Sequence, residues 1–195
     1  MAYRSGTYIA FDGLGQTNPT LSDFKYYATI QAWAANANID FNYVDSHDKT
    51  YAVRDTSSKA TLESRIRERL SNSKNVVVIL SGDTRKSGSE LSYEIEQAVD
   101  VYALPLILTY VDYKVIADPS QMSSFWPYAL NSRISNQTAK AIHIPFLKDA
   151  LLDAISQFSV NEPKQLAGSL NYYSEQAQKG FGGLGAYGSF VNTKR

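Results

Sequence analysis

Short, almost wholly apolar stretches alternate along this chain with segments in which apolar residues recur at helical spacing. The first kind of stretch predicts a buried strand, and the second predicts a helix packed along one face. Strands are predicted at 7–11, 39–45, 76–80, 104–111 and 139–144. Helices are predicted at 21–36, at 57–70, around the apolar series Leu91, Ile95, Ala98 and Tyr102, within 112–138, and from Pro145 in a first turn to Gln157. Strands that alternate with helices form a parallel sheet covered on both faces.

The predicted architecture is therefore α/β and flavodoxin-like, with five parallel strands in the order 2-1-3-4-5, helices on both faces and a C-terminal tail. We assign residues 1–160 to this domain and 161–195 to the tail, because the composition changes after Glu162-Pro163. A short helix is predicted at 164–179. Five glycines between Gly180 and Gly188 then predict a flexible or partner-docked end.

Charge and composition exclude several classes of function. Lys+Arg and Asp+Glu each number 19, and no basic run marks a nucleic-acid site. The chain has 0 cysteines, which excludes disulfides, thiolate metal sites and a cysteine nucleophile. No apolar run approaches the ~20 residues of a membrane span. The first residues lack the apolar core of a signal peptide, so we expect a cytoplasmic protein.

Ligands of open α/β sheets bind beyond the carboxyl ends of the strands. The first and third predicted strands end at Phe11-Asp12 and Ser81-Gly82, and the helix after the third strand carries Glu94. On a regular helix Glu94 lies about 40° beyond the edge of the apolar stripe. It is thus a boundary carboxylate, and the competing interpretation is a helix-flank glutamate that favours the helix dipole.

Other polar residues near strand ends have two interpretations each. Asp12 and Asp45 are placed to contact a ribose, or they are turn formers. Arg85 and Lys86 could bind a pyrophosphate, or they are solvated loop charges.

Two further patterns argue against other chemistries. His47 and His143 are the only histidines, and they do not have the spacing of a metal pair, so no metal site is predicted. The sequence Gly13-Leu14-Gly15 would need a third glycine at position 18, which is Asn18, and this disfavours a Rossmann hydride-transfer enzyme.

Several motifs resemble the bacterial TIR-like family that includes the Thoeris anti-phage defence proteins. They are the aromatic end of the first strand, the loop Ser81-Gly-Asp-Thr-Arg-Lys-Ser87, the sequence Tyr93-Glu94-Ile95 and the strand exit Ile142-His-Ile-Pro-Phe146. The resemblance covers about residues 5 to 158. It implies the TIR fold and an NAD glycohydrolase or ADP-ribosyl cyclase, with Glu94 as the catalytic glutamate, although Leu91 stands where many TIR enzymes have tryptophan.

The same resemblance implies that NAD+ is the substrate, that no cofactor or metal is needed, and that a cyclic ADP-ribose product activates a separate effector in anti-phage defence. It permits homo-oligomers and gives no role to nucleic acid or membrane. Phe11 and Tyr93, with the Phe125-Trp-Pro-Tyr128 connection, would supply aromatic walls, and Ser81 a polar contact. A catalytically silent TIR-like adaptor is the alternative, and a generic flavodoxin-like nucleotide or phosphate binder is a third interpretation.

Overall fold

A computed structural model describes residues 3–16, 18–38, 43, 45, 58–161, 166–181 and 191–193. The strands are β1 (Gly6–Ala10), β2 (Ser73–Leu80), β3 (Leu106–Tyr110), β4 (Ala141–Pro145), β5 (Asn171–Tyr173) and β6 (Val191–Thr193). The α-helices are α1 (Phe24–Ala35), α2 (Lys59–Ser71), α3 (Glu90–Glu96), α4 (Tyr128–Ser135), α5 (Lys148–Gln157) and α6 (Glu175–Gly180). A π-helical turn, Gln97–Val101, continues α3, and 3₁₀ turns cover Pro19–Leu21 and Pro119–Phe125.

The described strands form one sheet in the order β1-β2-β3-β4-β5-β6. Neighbours from β1 to β5 are parallel, and β6 pairs with β5 in the antiparallel direction. The predicted α/β fold with five parallel strands and flanking helices is therefore confirmed. Most of the strand predicted at 39–45 lies outside the described residues, but Asp45 forms a parallel bridge with Thr7 of β1, where the order 2-1-3-4-5 places it.

Alternate residues of each strand pack into two separate layers of core. Tyr8 of β1, with Val76 and Val78 of β2, faces the layer that α2, α3 and α4 cover. Ile9 and Val77 face the opposite layer, which α1 and α5 cover. Because side chains alternate along a strand, this register directs Tyr8 toward α3.

Two details of the predicted elements are wrong. Pro145 is the last residue of β4, paired with Tyr110, and the following helix begins at Lys148. The helix predicted at 164–179 is interrupted by β5, and only Glu175–Gly180 is helical. The side chain of Asn171 donates hydrogen bonds to the carbonyls of Ala141 and Gly168, which fastens β5 beside β4.

The described part of residues 161–195 belongs to the packed structure. Tyr173 and Phe181 are buried in the α1/α5 layer, with their ring centroids 4.9 Å apart. The boundary at residue 160 stays a prediction, and most of the glycine-rich stretch, together with His47, lies outside the described residues. Within the described ranges, no helix has both the length and the apolar character needed to cross a membrane.

Candidate active site

A cleft of ≈ 660 Å³ opens beyond the carboxyl end of β1 and continues between α2 and α3. Its walls come from the end of β1 and the loop after it, from α1 and α2, and from residues 85–94. The volume lies in the range of sites that hold small-molecule ligands. Its place at the edge of β1 and β2 is where the flavodoxin-like topology predicts a ligand.

Glu94 lines this cleft with one oxygen fixed and one without a partner. The Tyr8 hydroxyl donates a hydrogen bond of 2.5 Å to Oε1 of Glu94. Oε2 is shielded from solvent and accepts no hydrogen bond from any described residue. A buried carboxylate oxygen is costly to leave unpaired, so this atom is a ready acceptor for a ligand hydroxyl.

Burial raises the pKa of Glu94 from 4.5 to about 7. The hydrogen bond from Tyr8 and the positive charge of Arg69 act in the opposite direction, whereas the negative charges of Glu90 and Asp12 add to the rise. The pKa thus lies near neutral pH, where a carboxyl group can both stabilise positive charge and exchange a proton.

An aromatic wall closes the α1 side of the cleft. Phe11 stacks on Tyr27 with centroids 5.4 Å apart and an interplanar angle of 17°, and Phe24 meets Phe11 edge-on at 5.9 Å. The Tyr27 hydroxyl donates a 2.8 Å hydrogen bond to the buried carboxylate of Asp45. Phe11 therefore occupies the predicted cleft, while Asp45 supports the wall from behind.

Asp12 and Arg85, both predicted to contact substrate, bind each other. Arg85 donates to Asp12 through Nε at 3.1 Å and through Nη2 at 2.7 Å. Backbone N–H groups of Leu14 and Arg85 donate to the same carboxylate at 2.8 and 2.9 Å. Arg85 lines the cleft and Asp12 does not. The pair ties the loop after β1 to the loop after β2.

The other predicted residues lie beside the cleft. The Ser81 hydroxyl donates to Asp23 at 3.1 Å and holds the turn after β2. The Tyr93 hydroxyl accepts from Arg67 at 2.6 Å, on the outer side of α2 and α3. Lys86 donates to the backbone carbonyls of Ser124 and Trp126. The described lining of the cleft does not include Ser81, Asp45, Tyr93 or Lys86. Their contacts with substrate stay predictions.

Comparison with known proteins decides the family. The family model described as "Thoeris protein ThsB, TIR-like domain" matches residues 8–116. The chain belongs to this family. Its matched segment runs from β1 through the described parts of the cleft to the loop after β3, and so includes Phe11, Asp12, Ser81, Arg85 and Glu94.

Membership of the ThsB family places the chain in Thoeris defence, which implies partner effector proteins. A solved structure titled "Crystal structure of conserved protein from Enterococcus faecalis V583" is also similar, at 15% sequence identity and a TM-score of 0.45. The match covers 79% of this chain and 98% of that one.

Sequence reasoning missed several residues that line the ThsB-family cleft. Among them are Tyr8 on β1, Arg65 and Arg69 on α2, and Ser89 before α3. Ser89 precedes the first residue of α3 without capping it, and its buried Oγ has no hydrogen-bond partner among the described residues. The alternation of side chains along β1 could have predicted that Tyr8 is buried. It could not predict which helix covers that face of the sheet, because this depends on tertiary packing.

The Asp12–Arg85 pair yields a stability prediction. Burial would raise the pKa of Asp12, but the hydrogen bonds from Arg85 and from two backbone N–H groups lower it overall. Asp12→Asn should cost about 2 to 3 kcal/mol, because a buried acceptor of several charge-assisted bonds is lost. Since the folded pKa is depressed, this stability is present above the unfolded pKa and is lost as pH falls through the folded value.

Urea unfolding of the wild type and of Asp12→Asn at neutral and acid pH measures the difference in their free energy of unfolding. Asp83→Asn is the matched control, because Asp83 is exposed in the same loop as Arg85. A loss for Asp12→Asn no larger than that of the control would mean that the pair contributes nothing to stability.

Proposed function

We propose that this ThsB-family chain cleaves NAD+ between nicotinamide and ribose and cyclises the ADP-ribose that remains, giving a cyclic ADP-ribose signal for a separate effector. The observation that supports the proposal most is the state of Glu94. Its carboxyl group lines the cleft, has one oxygen fixed by Tyr8, and has a second oxygen without a described partner.

The chemistry requires little more than such a carboxylate. Nicotinamide leaves with the electron pair of the glycosidic bond, which neutralises its ring, and positive charge develops at the anomeric carbon. Ionised Glu94 stabilises that charge and accepts hydrogen bonds from the ribose hydroxyls. The cationic nicotinamide of the bound substrate favours the ionised form, because an opposite charge nearby lowers a carboxyl pKa.

The second half of the reaction decides the product. When a hydroxyl of the adenosine ribose attacks the anomeric carbon, a new bond closes the ring and the hydroxyl proton is released. Glu94, with a pKa of about 7, can accept that proton. If water attacks instead, the product is ADP-ribose. The aromatic wall of Phe11, Phe24 and Tyr27 favours cyclisation, because its apolar rings offer a surface on which a bound dinucleotide can displace water.

The remaining cleft residues suit a dinucleotide. Arg65, Arg69 and Arg85 line it on the α2 and loop sides, and guanidinium groups match the oxygens of a pyrophosphate. Ser89 offers a hydroxyl without a described partner to a sugar or phosphate oxygen. Gly13 has open space where a side chain would stand, which leaves room for a ligand near the backbone.

The test is mass-resolved chromatography of NAD+ incubated with the purified chain. We expect nicotinamide together with a product lighter than ADP-ribose by one water. ADP-ribose as the only product would contradict cyclisation and leave a hydrolase.

An absence of nicotinamide release, both alone and with lysate from phage-infected cells, would overturn the enzymatic proposal and favour the adaptor. Nucleotide binding without turnover, measured by calorimetry on the same sample, would favour a nucleotide binder instead.

A further inference from the structure

The Tyr8 hydroxyl donates a hydrogen bond to the carboxylate of Glu94, which lies on a different element 86 residues away in sequence. Tyr8 is only 1% exposed, so its ring is held by the core between β1 and the α2/α3 layer. The 2.5 Å separation lies in the range of a charge-assisted O–H···O⁻ bond. Such a bond joins a rigid strand to the carboxylate on α3.

We propose that Tyr8 is a positioning residue that fixes Oε1 of Glu94 and leaves Oε2 as the oxygen that meets the substrate ribose. The inference rests on the proposed NAD+ cleavage. A carboxylate without this bond can present either oxygen and rotates about its side-chain torsions, so a fixed oxygen preorganises the site before substrate binds.

Burial raises the pKa of Glu94, and the same bond partly opposes that rise. Four groups on the surrounding elements act on its charge: Tyr8 on β1 and Arg69 on α2 favour the ionised form, while Glu90 on α3 and Asp12 after β1 oppose it. Arg65 and Arg85 add positive charge at the cleft wall. Burial raises the pKa of Tyr8 itself well above 10.0, so its hydroxyl remains a donor throughout the working range of pH.

Tyr8→Phe removes the hydroxyl and keeps the ring. Loss of a hydrogen bond to the charged form should raise the pKa of Glu94 by about one to two units. At pH 7 the ionised fraction of Glu94 in the free enzyme then falls, and kcat/KM should drop by about fivefold or more. The rate should recover toward that of the wild type as pH rises past the new pKa, which a variant that merely damaged the fold would not do.

Tyr173→Phe is the matched control. Tyr173 is buried in β5, four strands from β1, and its hydroxyl also donates to a carboxylate, that of Asp153 at 2.6 Å. This variant loses a comparable bond away from the cleft, so the pH profile of NAD+ turnover should match that of the wild type.

Carbon-13 NMR titration of the glutamate side chains separates this inference from the proposed function. Glu94→Gln identifies the Glu94 signal, and the titration needs no turnover. The inference is supported if the Glu94 midpoint rises in Tyr8→Phe and not in Tyr173→Phe. An unchanged midpoint overturns it, even in an active enzyme. If the Glu94 midpoint rises in Tyr8→Phe but the wild-type chain releases no nicotinamide, the coupling between Tyr8 and Glu94 is supported and the proposed NAD+ cleavage is contradicted.

Discussion

Glu94→Gln is expected to lower nicotinamide release from NAD+ by about 10²- to 10³-fold, the usual effect of removing one preorganised electrostatic group. The same substitution should make the fold more stable at and above neutral pH. Both effects have one cause: the carboxylate that the proposed reaction requires is placed where burial disfavours its charge. Neutral glutamine keeps the shape of the side chain and can accept the Tyr8 hydrogen bond.

The direction of the stability change follows from proton binding. The folded pKa of Glu94 is about 7 and its ordinary value is 4.5, so the native state holds a proton that the unfolded state has released. The contribution of Glu94 to the free energy of unfolding therefore falls as pH rises from the ordinary pKa to the folded pKa. A shift of that size corresponds to about 2 to 3 kcal/mol once partial exposure of the residue is allowed for. Because glutamine has no charge at any pH, the Glu94→Gln chain does not lose this stability.

Urea unfolding of the two proteins at a series of pH values measures the difference. Glu96→Gln is the matched control, because Glu96 lies on the same helix with its carboxylate 3.8 Å from Arg133 at the surface. The control should keep both activity and the pH dependence of the wild type. A Glu94→Gln chain that is inactive and also less stable than wild type at pH 8 would show that Glu94 holds the fold together, which contradicts the interpretation.

The strands of the fold could be predicted because their apolar runs are long and β-branched. Val76 to Leu80 is fully buried in β2, and such a run has few alternatives to an interior parallel strand. β5 could not be found in this way. It has three residues, and the Asn171 side chain fastens it to carbonyls on β4, a contact between segments 30 residues apart. The local sequence pattern does not predict a hydrogen bond between such distant segments.

The same distinction applies to the cleft. Glu94 and Phe11 could be placed there from helix periodicity and strand ends, because both follow from local geometry and a known topology. The Asp12–Arg85 pair joins loops 73 residues apart, and each residue alone has the character of an ordinary loop charge. The sequence predicts that polar groups meet at this edge of the sheet. It does not predict which of them meet the substrate and which meet each other.

His143 is expected to produce the opposite pH dependence from that of Glu94, with a larger loss in acid than any exposed histidine would give. Its ring is fully buried in β4. Burial lowers its pKa from 6.5 to about 4, although the hydrogen bond to the Ser169 carbonyl acts against the shift. The neutral ring matches its surroundings: Nε2 donates to that carbonyl at 2.8 Å, and Nδ1 accepts from the Tyr110 hydroxyl at 2.7 Å.

Since the native state resists protonation, the unfolded state binds more protons between these two pKa values, and stability rises with pH across that interval. The depressed pKa corresponds to about 3 kcal/mol of stability that is present above the ordinary value and lost below the folded one. The Glu94 contribution falls with pH over nearly the same interval. In the wild type the pH dependences from His143 and Glu94 largely cancel. A free energy of unfolding that changes little with pH would therefore conceal both contributions.

Single substitutions separate the two groups. Glu94→Gln should leave the His143 slope exposed, with stability rising by about 3 kcal/mol between acid and neutral pH. His143→Gln, whose amide can donate to the Ser169 carbonyl and accept from Tyr110, should leave the Glu94 slope and lose stability over the same change in pH. Urea unfolding at half-unit steps of pH measures both. If Glu94→Gln has the same pH dependence as the wild type, the buried carboxylate is not the group that opposes His143, and the cleft does not hold Glu94 in the state that the proposed chemistry needs.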